Sequence, residues 1–309
     1  MQQHIIEPVD TTLIENELTD DKFLRSTNKG GNAIYIVDAF NAPYTMREIG
    51  RLREIAFRAA GGGTGKECDI DSYDTMTPPC RQLIVWNPEH KLIIGGYRFI
   101  LGTDVEVGGD GAPRIATAHM FDFSPEFVSD YLPLTVELGR SFVRLEYQST
   151  RAGVKAIYAL DNLWDGLGAL TVKYPQVKYL FGKVTMYPSY SKHCRNLILH
   201  FLHKHFPDNE GLVTPKSPLV TDADNEAIAK IFSGGNFKED YRILNTEVRR
   251  QGYNIPPLVN AYMGLSPTMR IFGTAVNDEF GDVEETGIFL NIDDIFEEKK
   301  QRHISTYKG

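Results

Sequence analysis

The 309-residue sequence has no basic surplus: 33 lysines and arginines stand against 41 aspartates and glutamates, a formal charge of −8. Non-specific nucleic-acid binding depends on neutralising phosphates, so that class is set aside. Cysteine is scarce too. Cys68, Cys80 and Cys194 are odd in number, far apart and without a C-x-x-C pair, which speaks against a disulfide framework and a structural zinc site and for a reducing compartment. No apolar run approaches the roughly 20 residues of a membrane-spanning helix. The first residues carry Glu7, Asp10, Glu15, Glu17, Asp20 and Asp21 around no apolar core, the opposite of a signal peptide. A cytoplasmic protein is expected, associated with membranes at most peripherally.

What is present is ordinary globular composition, 42% hydrophobic and 24% charged, enough for one large core or two moderate ones. Residues 1–32 are polar and end in Asn28-Lys29-Gly30-Gly31-Asn32, so a loosely held arm is expected there. Residues 33–38 read as a strand, and Thr45 and Glu48 have capping-box spacing ahead of Ile49, Leu52, Ile55, Ala56 and Ala59 at helical period. Residues 82–86 and 92–99 flank Asn87-Pro88-Glu89-His90 as a hairpin, and residues 134–143 form a further strand with embedded charge. Helix, strand and helix follow through residues 157–170, 179–187 and 197–202, and two closing strands through 269–273 and 286–292. This order predicts an α+β fold on a mixed, mostly antiparallel sheet flanked by helices. Residues 33–206 would be the core, 207–295 a helical and strand extension packed on it, and 296–309 a charged tail.

The chemistry gathers between Glu67 and Arg98. Glu67, Asp69, Asp71 and Asp74 fall within eight residues, and such repulsion is tolerated where a cation completes the set, whether an arginine, a metal or an amine substrate. An EF-hand needs glycine and glutamate where Asp74 and Cys80 stand, counting from Asp69, so the calcium reading falls away. Arg53, Arg98 and Arg140 are the candidate cations. Glu137 and Arg140 would face opposite sides of an ideal strand, and a bulge near Gly139 would bring them together. The run Gly61-Gly62-Gly63-Thr64-Gly65-Lys66 follows a helix and precedes Glu67, so it is read as a mobile loop rather than a phosphate loop. His193, His200, His203 and His205 lack metal-binding spacing, and no metal is expected.

In this order the landmarks resemble the haemolysin-like N-acyltransferases of the GNAT superfamily, the ornithine- and glycine-lipid synthase group. They are Arg53 and Phe57, residues 69–74, Gly96-Tyr97-Arg98, residues 137–143, Leu163-Trp164-Asp165-Gly166-Leu167-Gly168 and residues 179–184. The acyl-homoserine-lactone synthases are similar at Arg53, Phe57, Asp71, Asp74, Arg98, Glu137 and Arg140. The resemblance implies transfer of a 3-hydroxyacyl group from acyl carrier protein to an amino-acid amine, glycine favoured and ornithine next, with no tightly bound cofactor. A second acyltransferase acting on the product is a further implied partner.

On this reading Arg53, Phe57, Asp69, Asp74 and Arg140 line the substrate pocket, and Arg98 and Arg53 bind the amino-acid carboxylate or neutralise the acidic set. Asp71 and Asp74 orient the ammonium, and Glu137 is the base, directly or through a water. An Arg/Asp/Glu network that only braces the cleft is the structural alternative. Ordinary GNAT enzymes hold coenzyme A at a Q/R-x-x-G-x-G/A loop, whereas here residues 148–153 put Arg151 at the first glycine. That favours a phosphopantetheine arm on a carrier protein, acyl-CoA remaining possible, with Ser141, Arg144, Arg151 and Gly153 beside the arm. Arg140, Arg144, Arg151, Lys155, Lys173, Lys178, Lys183, Lys192 and Arg195 would form a basic face for the acidic carrier. A lactone-signal synthase and a membrane-active protein without enzyme activity are the competing classes.

Overall fold

The computed structural model describes residues 2–148 and 154–309, residues 154–157 by their backbone alone. Its strands are β1 (Phe23–Ser26), β2 (Ala33–Val37), β3 (Arg81–Asn87), β4 (Leu92–Leu101), β5 (Phe121–Phe123), β6 (Thr135–Val143), β7 (Tyr179–Met186), β8 (Val213–Pro215), β9 (Arg270–Asn277) and β10 (Val283–Asn291). Eight of them form one sheet in the order β1-β2-β3-β4-β6-β7-β10-β9, and β5 pairs separately with β8. Every neighbour in the large sheet is antiparallel except β6 and β7.

That exception shapes the molecule. The parallel register of β6 and β7 runs from Thr135 opposite Tyr179 to Leu138 opposite Gly182 and stops, although both strands continue. A Cβ on Gly182 would lie 2.8 Å from the Leu138 carbonyl, so the strands touch closely just before they part. Beyond this fork β6 bulges. Its pairing with β4 passes from Gly139 opposite Arg98 to Phe142 opposite Gly96, and Arg140 takes φ +48°. The expected bulge is therefore present and centred on Arg140.

The helices are α1 (Thr11–Glu17), α2 (Pro43–Ala60), α3 (Ser72–Thr75), α4 (Val154–Lys173), α5 (Lys192–His205), α6 (Asn225–Ile231), α7 (Phe237–Arg250) and α8 (Pro257–Met263). Helix α2 buries Met46, Ile49, Leu52, Ala56 and Phe57, which pack with Ile84, Trp86 and Phe142 of the sheet. Leu163, Leu167 and Leu170 of α4 and Leu197 and Phe201 of α5 join a separate core with Leu83, Leu180 and Leu290. Thr45 does not cap α2. The helix begins at Pro43, and Glu17 of α1 accepts hydrogen bonds from the Tyr44 and Thr45 amides at 3.0 and 2.7 Å, which frees Glu48 to pair with Arg51.

The first 32 residues are not a loose arm, because β1 joins the sheet and Gln3 and Ile6 donate to the Gly65 and Glu67 carbonyls at 2.8 and 3.1 Å. Nor is the glycine-rich loop untethered. Gly61, at φ +96°, ends α2, and Glu54 then accepts from the Thr64 and Gly65 amides at 3.1 and 2.7 Å. The charged C-terminal tail is docked as well: His303 Nδ1 lies 2.8 Å from Asp165 of α4, and a Cβ on Gly168 would come within 2.3 Å of the His303 carbonyl. Close approach thus accounts for one glycine of the Leu-Trp-Asp-Gly-Leu-Gly run. Among the described residues no helix is long and apolar enough to cross a membrane.

Candidate active site

The acidic run folds into α3 and its N-cap. Asp71 accepts from the Tyr73 and Asp74 amides at 2.9 and 3.2 Å, and Asp74 accepts from the Asp71 amide at 3.1 Å. This reciprocal cap holds two carboxylates side by side, and arginines from three elements meet them. Arg53 of α2 lies 3.2 Å from Asp74, Arg98 of β4 lies 2.7 Å from Asp71 and 3.4 Å from Asp74, and Arg140 lies 3.0 Å from Asp69 and 3.4 Å from Asp71. Three aspartates are therefore matched by three arginines, and the repulsion inferred from sequence is cancelled within the protein.

Depth separates the members of this network. The side chains of Arg53, Asp69 and Asp74 are 0% exposed and border neither cavity, so their expected substrate contacts are replaced by bracing from below. Asp71 is 23% exposed at its side chain and reaches the space above. Burial works against its charge, yet Arg98, with Arg140 and Arg53 behind it, holds the Asp71 carboxyl well below the usual carboxylate range.

Two cavities open along the fork. One, of about 420 Å³, is walled by Phe57 and Ala60 of α2, residues 139–143 of β6, Leu160, Tyr187 and Leu258. The other, of about 670 Å³, is polar and bordered by Asp71, Tyr73, Arg98, His119, Asn277 and Glu279. Arg140, Lys183 and Phe280 border both, and the Arg140 guanidinium stacks 4.5 Å above the Phe280 ring. Where the sheet divides, an apolar slot thus meets a charged basin.

Glu137 does not join Arg140. It is buried, borders neither cavity, and its Oε1 accepts from the Thr117 amide and hydroxyl at 3.0 and 2.8 Å. The bulge turns Arg140 toward Asp69 and leaves Glu137 anchoring the loop that carries His119. His119 Nδ1 lies 2.8 Å from the Ala116 carbonyl oxygen, and Nε2 lies 3.3 Å from Asn277 Oδ1.

Lys183 is the first β7 residue beyond the fork and pairs with Glu285 of β10. Glu285 sits opposite Thr185, which places it diagonally across from Lys183, and it also accepts from Thr185 Oγ1 at 3.0 Å and Asn277 Nδ2 at 2.9 Å. Burial draws the Lys183 amine below its ordinary range against the pull of Glu285. Burial acts on Glu285 in the opposite sense, and the Lys183 charge overcomes it, holding that carboxyl below its usual range.

Of the remaining sequence-predicted positions, Phe57 and Ser141 border the apolar slot and Arg144 follows its last β6 residue, Val143. Arg151 and Gly153 lie outside the described residues, as does the Lys155 side chain. The basic face is thinner than expected: Arg140, Lys183 and Arg195 are paired internally, Arg195 with Glu284, while Lys173, Lys178 and Lys192 are exposed. Sequence reasoning missed His119, Asn277 and Glu285, and took Lys183 for a surface charge. The one available signal was Glu285, an acid heading the apolar run at residues 287–290. Burial pushes the Cys80 thiol up to about 12 and the Cys68 thiol up to about 11, away from the thiolate a nucleophile needs.

The description of the acetyltransferase (GNAT) domain matches residues 52–157. The glycine N(alpha)-acyltransferase of Bacteroides thetaiotaomicron is 65% identical over 305 residues, 99% of this chain and 90% of that protein. The glycine N(alpha)-acyltransferase of Phocaeicola vulgatus is 60% identical over 305 residues, 99% of this chain and 94% of that protein. Among solved structures, FeeM, an N-acyl amino acid synthase from uncultured soil microbes, covers 90% of this chain and 98% of its own at 12% identity and a TM-score of 0.36.

Proposed function

This chain belongs to the family of N-acyltransferases that carry a GNAT acetyltransferase domain, and from that membership we propose that it moves a fatty acyl group from a phosphopantetheine thioester to the amine of glycine. The observation that carries this reading is the meeting of the two cavities at Arg140, Lys183 and Phe280. An acyl chain and its thioester suit the apolar slot, an amino acid suits the polar basin, and the amine and the carbonyl carbon then face each other across the shared residues.

Glycine follows from the names of the relatives and agrees with the charges. The basin is bordered by Lys66, Arg98, Arg140 and Lys183 against Asp71 and Glu279, a balance suited to one carboxylate with one amine rather than to a diamine such as ornithine. Arg98 and Arg140 present guanidinium edges for the carboxylate, and Asp71 attracts the ammonium. Asp71 is held too acidic to take the proton. His119, which borders the basin, takes it and passes it to solvent, and Glu137 positions that loop through Thr117. The neutral amine then attacks the thioester directly, a tetrahedral oxyanion forms against the β6 edge freed beyond the fork, and the thiol departs.

The donor is an acyl carrier protein on this reading. Arg144 beside the slot, with Lys173, Lys178 and Lys192 exposed, supports an acidic partner, and acyl-CoA presents the same arm. Incubating the protein with acyl carrier protein or acyl-CoA thioesters and an equimolar amino-acid panel tests the proposal by mass spectrometry. N-acylglycine should dominate. Acylation of ornithine over glycine, or of no amine at all, contradicts it.

A further inference from the structure

We propose that the Lys183 ammonium is the acid that protonates the departing thiol, so that the C–S bond breaks to give a neutral thiol rather than a thiolate. The inference rests on the thioester-to-glycine reading and adds a residue to it. Position is the first argument. A thioester whose chain lies in the apolar slot and whose carbonyl meets an amine in the basin has its sulfur at the junction, bordered by Arg140, Lys183 and Phe280. Phe280 has no proton to give, and a guanidinium does not release one. Arg140 is also engaged by Asp69 and Asp71.

Hydrogen-bonding capacity is the second argument. Lys183 carries three N–H donors, and among the described residues its one hydrogen-bond partner is Glu285. Glu285 is itself held by Thr185 and Asn277, which fixes the ammonium in place without exhausting its donors. A buried ion pair is costly to maintain, and placing this one where a leaving group must be stabilised gives that cost a use. Burial lowers the affinity of Lys183 for its proton and so favours release toward sulfur. Tyr187 and Tyr147, the phenols at the slot, are the poorer acids because burial pushes Tyr187 up to about 12 and raises Tyr147 as well.

The step balances. The glycine nitrogen forms the C–N bond with its lone pair, and the carbonyl π pair moves to oxygen. As the carbonyl reforms, the C–S pair leaves on sulfur, which takes a proton from Lys183 Nζ. The glycine nitrogen loses two protons, one from the ammonium before attack and one from the tetrahedral adduct as the C–N bond is made. Both pass to solvent by way of His119, solvent restores the Lys183 ammonium, and one proton is released overall. The products are the amide and a neutral thiol, with no other reactant consumed.

The experiment compares two donors of the same acyl chain, an alkyl thioester of pantetheine and an aryl thioester whose thiol leaves without a proton. Lys183→Arg retains the positive charge beside Glu285 but cannot deliver a proton, and Lys183→Met/Glu285→Gln removes both members so that no buried charge is left alone. Both variants should lose about 100-fold in kcat on the alkyl thioester and less than about threefold on the aryl thioester, any change in KM for glycine being the same with both donors. Equal losses on the two donors, or a loss under about threefold on the alkyl donor, overturn the assignment. Wild-type enzyme that acylates glycine from neither donor would instead refute the parent reading, so the two failures are distinguishable.

Discussion

At the scale of single residues, the acids and arginines divide by what they can still touch. Arg53, Asp69 and Asp74 brace the floor of the basin, while Asp71, Arg98 and Arg140 face the space above it. Asp71 links the two sets, and its depressed folded-state pKa has a definite pH signature. Stability from its pairing with Arg98 is fully present above the unfolded carboxyl range of about 4 and is lost as pH falls through the lower folded value. Denaturant unfolding of Asp71→Asn against wild type should therefore show a deficit that is constant near neutrality and shrinks below about pH 4. A deficit that grew on acidification would contradict the pairing. His119 is tested kinetically: His119→Gln should lower kcat/KM for glycine about 100-fold near neutral pH, the deficit closing at alkaline pH where glycine is already a free amine. A deficit independent of pH would remove His119 as the proton acceptor.

Among secondary-structure elements, the fork between β6 and β7 creates the apolar slot, and the Arg140 bulge turns one side chain from the strand edge into the junction. Leu258, next to Pro257 at the start of α8, borders the slot together with β6. Leu258→Trp should fill part of its roughly 420 Å³, so kcat/KM should fall at least tenfold for long-chain thioesters and stay within about threefold for short ones. Equal effects at all chain lengths would place the acyl chain elsewhere. Much at this scale was legible in the sequence. The strand and helix periods were plain, and Gly139 between Glu137 and Arg140 announced the bulge. The α2 cap was not legible, because Glu17 supplies it from α1 and local spacing pointed instead to Thr45 and Glu48.

For the whole molecule, sheet order assembles what sequence order scatters. Lys183 and Glu285 meet because β10 is inserted beside β7, and Asn277 reaches both Glu285 and His119 from the end of β9. No local pattern encodes such a meeting, which is why Arg53, Asp71, Arg98 and Arg140 could be grouped from sequence while His119 and Glu285 could not. The two ends of the chain give the same lesson. Both read as polar and free, yet Asn28 bonds Asp165 at 2.7 Å and His303 bonds the same carboxylate at 2.8 Å, so each end satisfies a buried polar group that local sequence does not reveal. On the proposed reading, acyl donor and amino acid meet across Arg140, Lys183 and Phe280. A crystal structure of the protein with N-acylglycine bound tests it most directly. The expected complex has the acyl chain between β6 and β7, the amide within hydrogen-bonding reach of Lys183 and the carboxylate beside Arg98. A chain lying outside the fork, or an amide remote from Lys183, would contradict it.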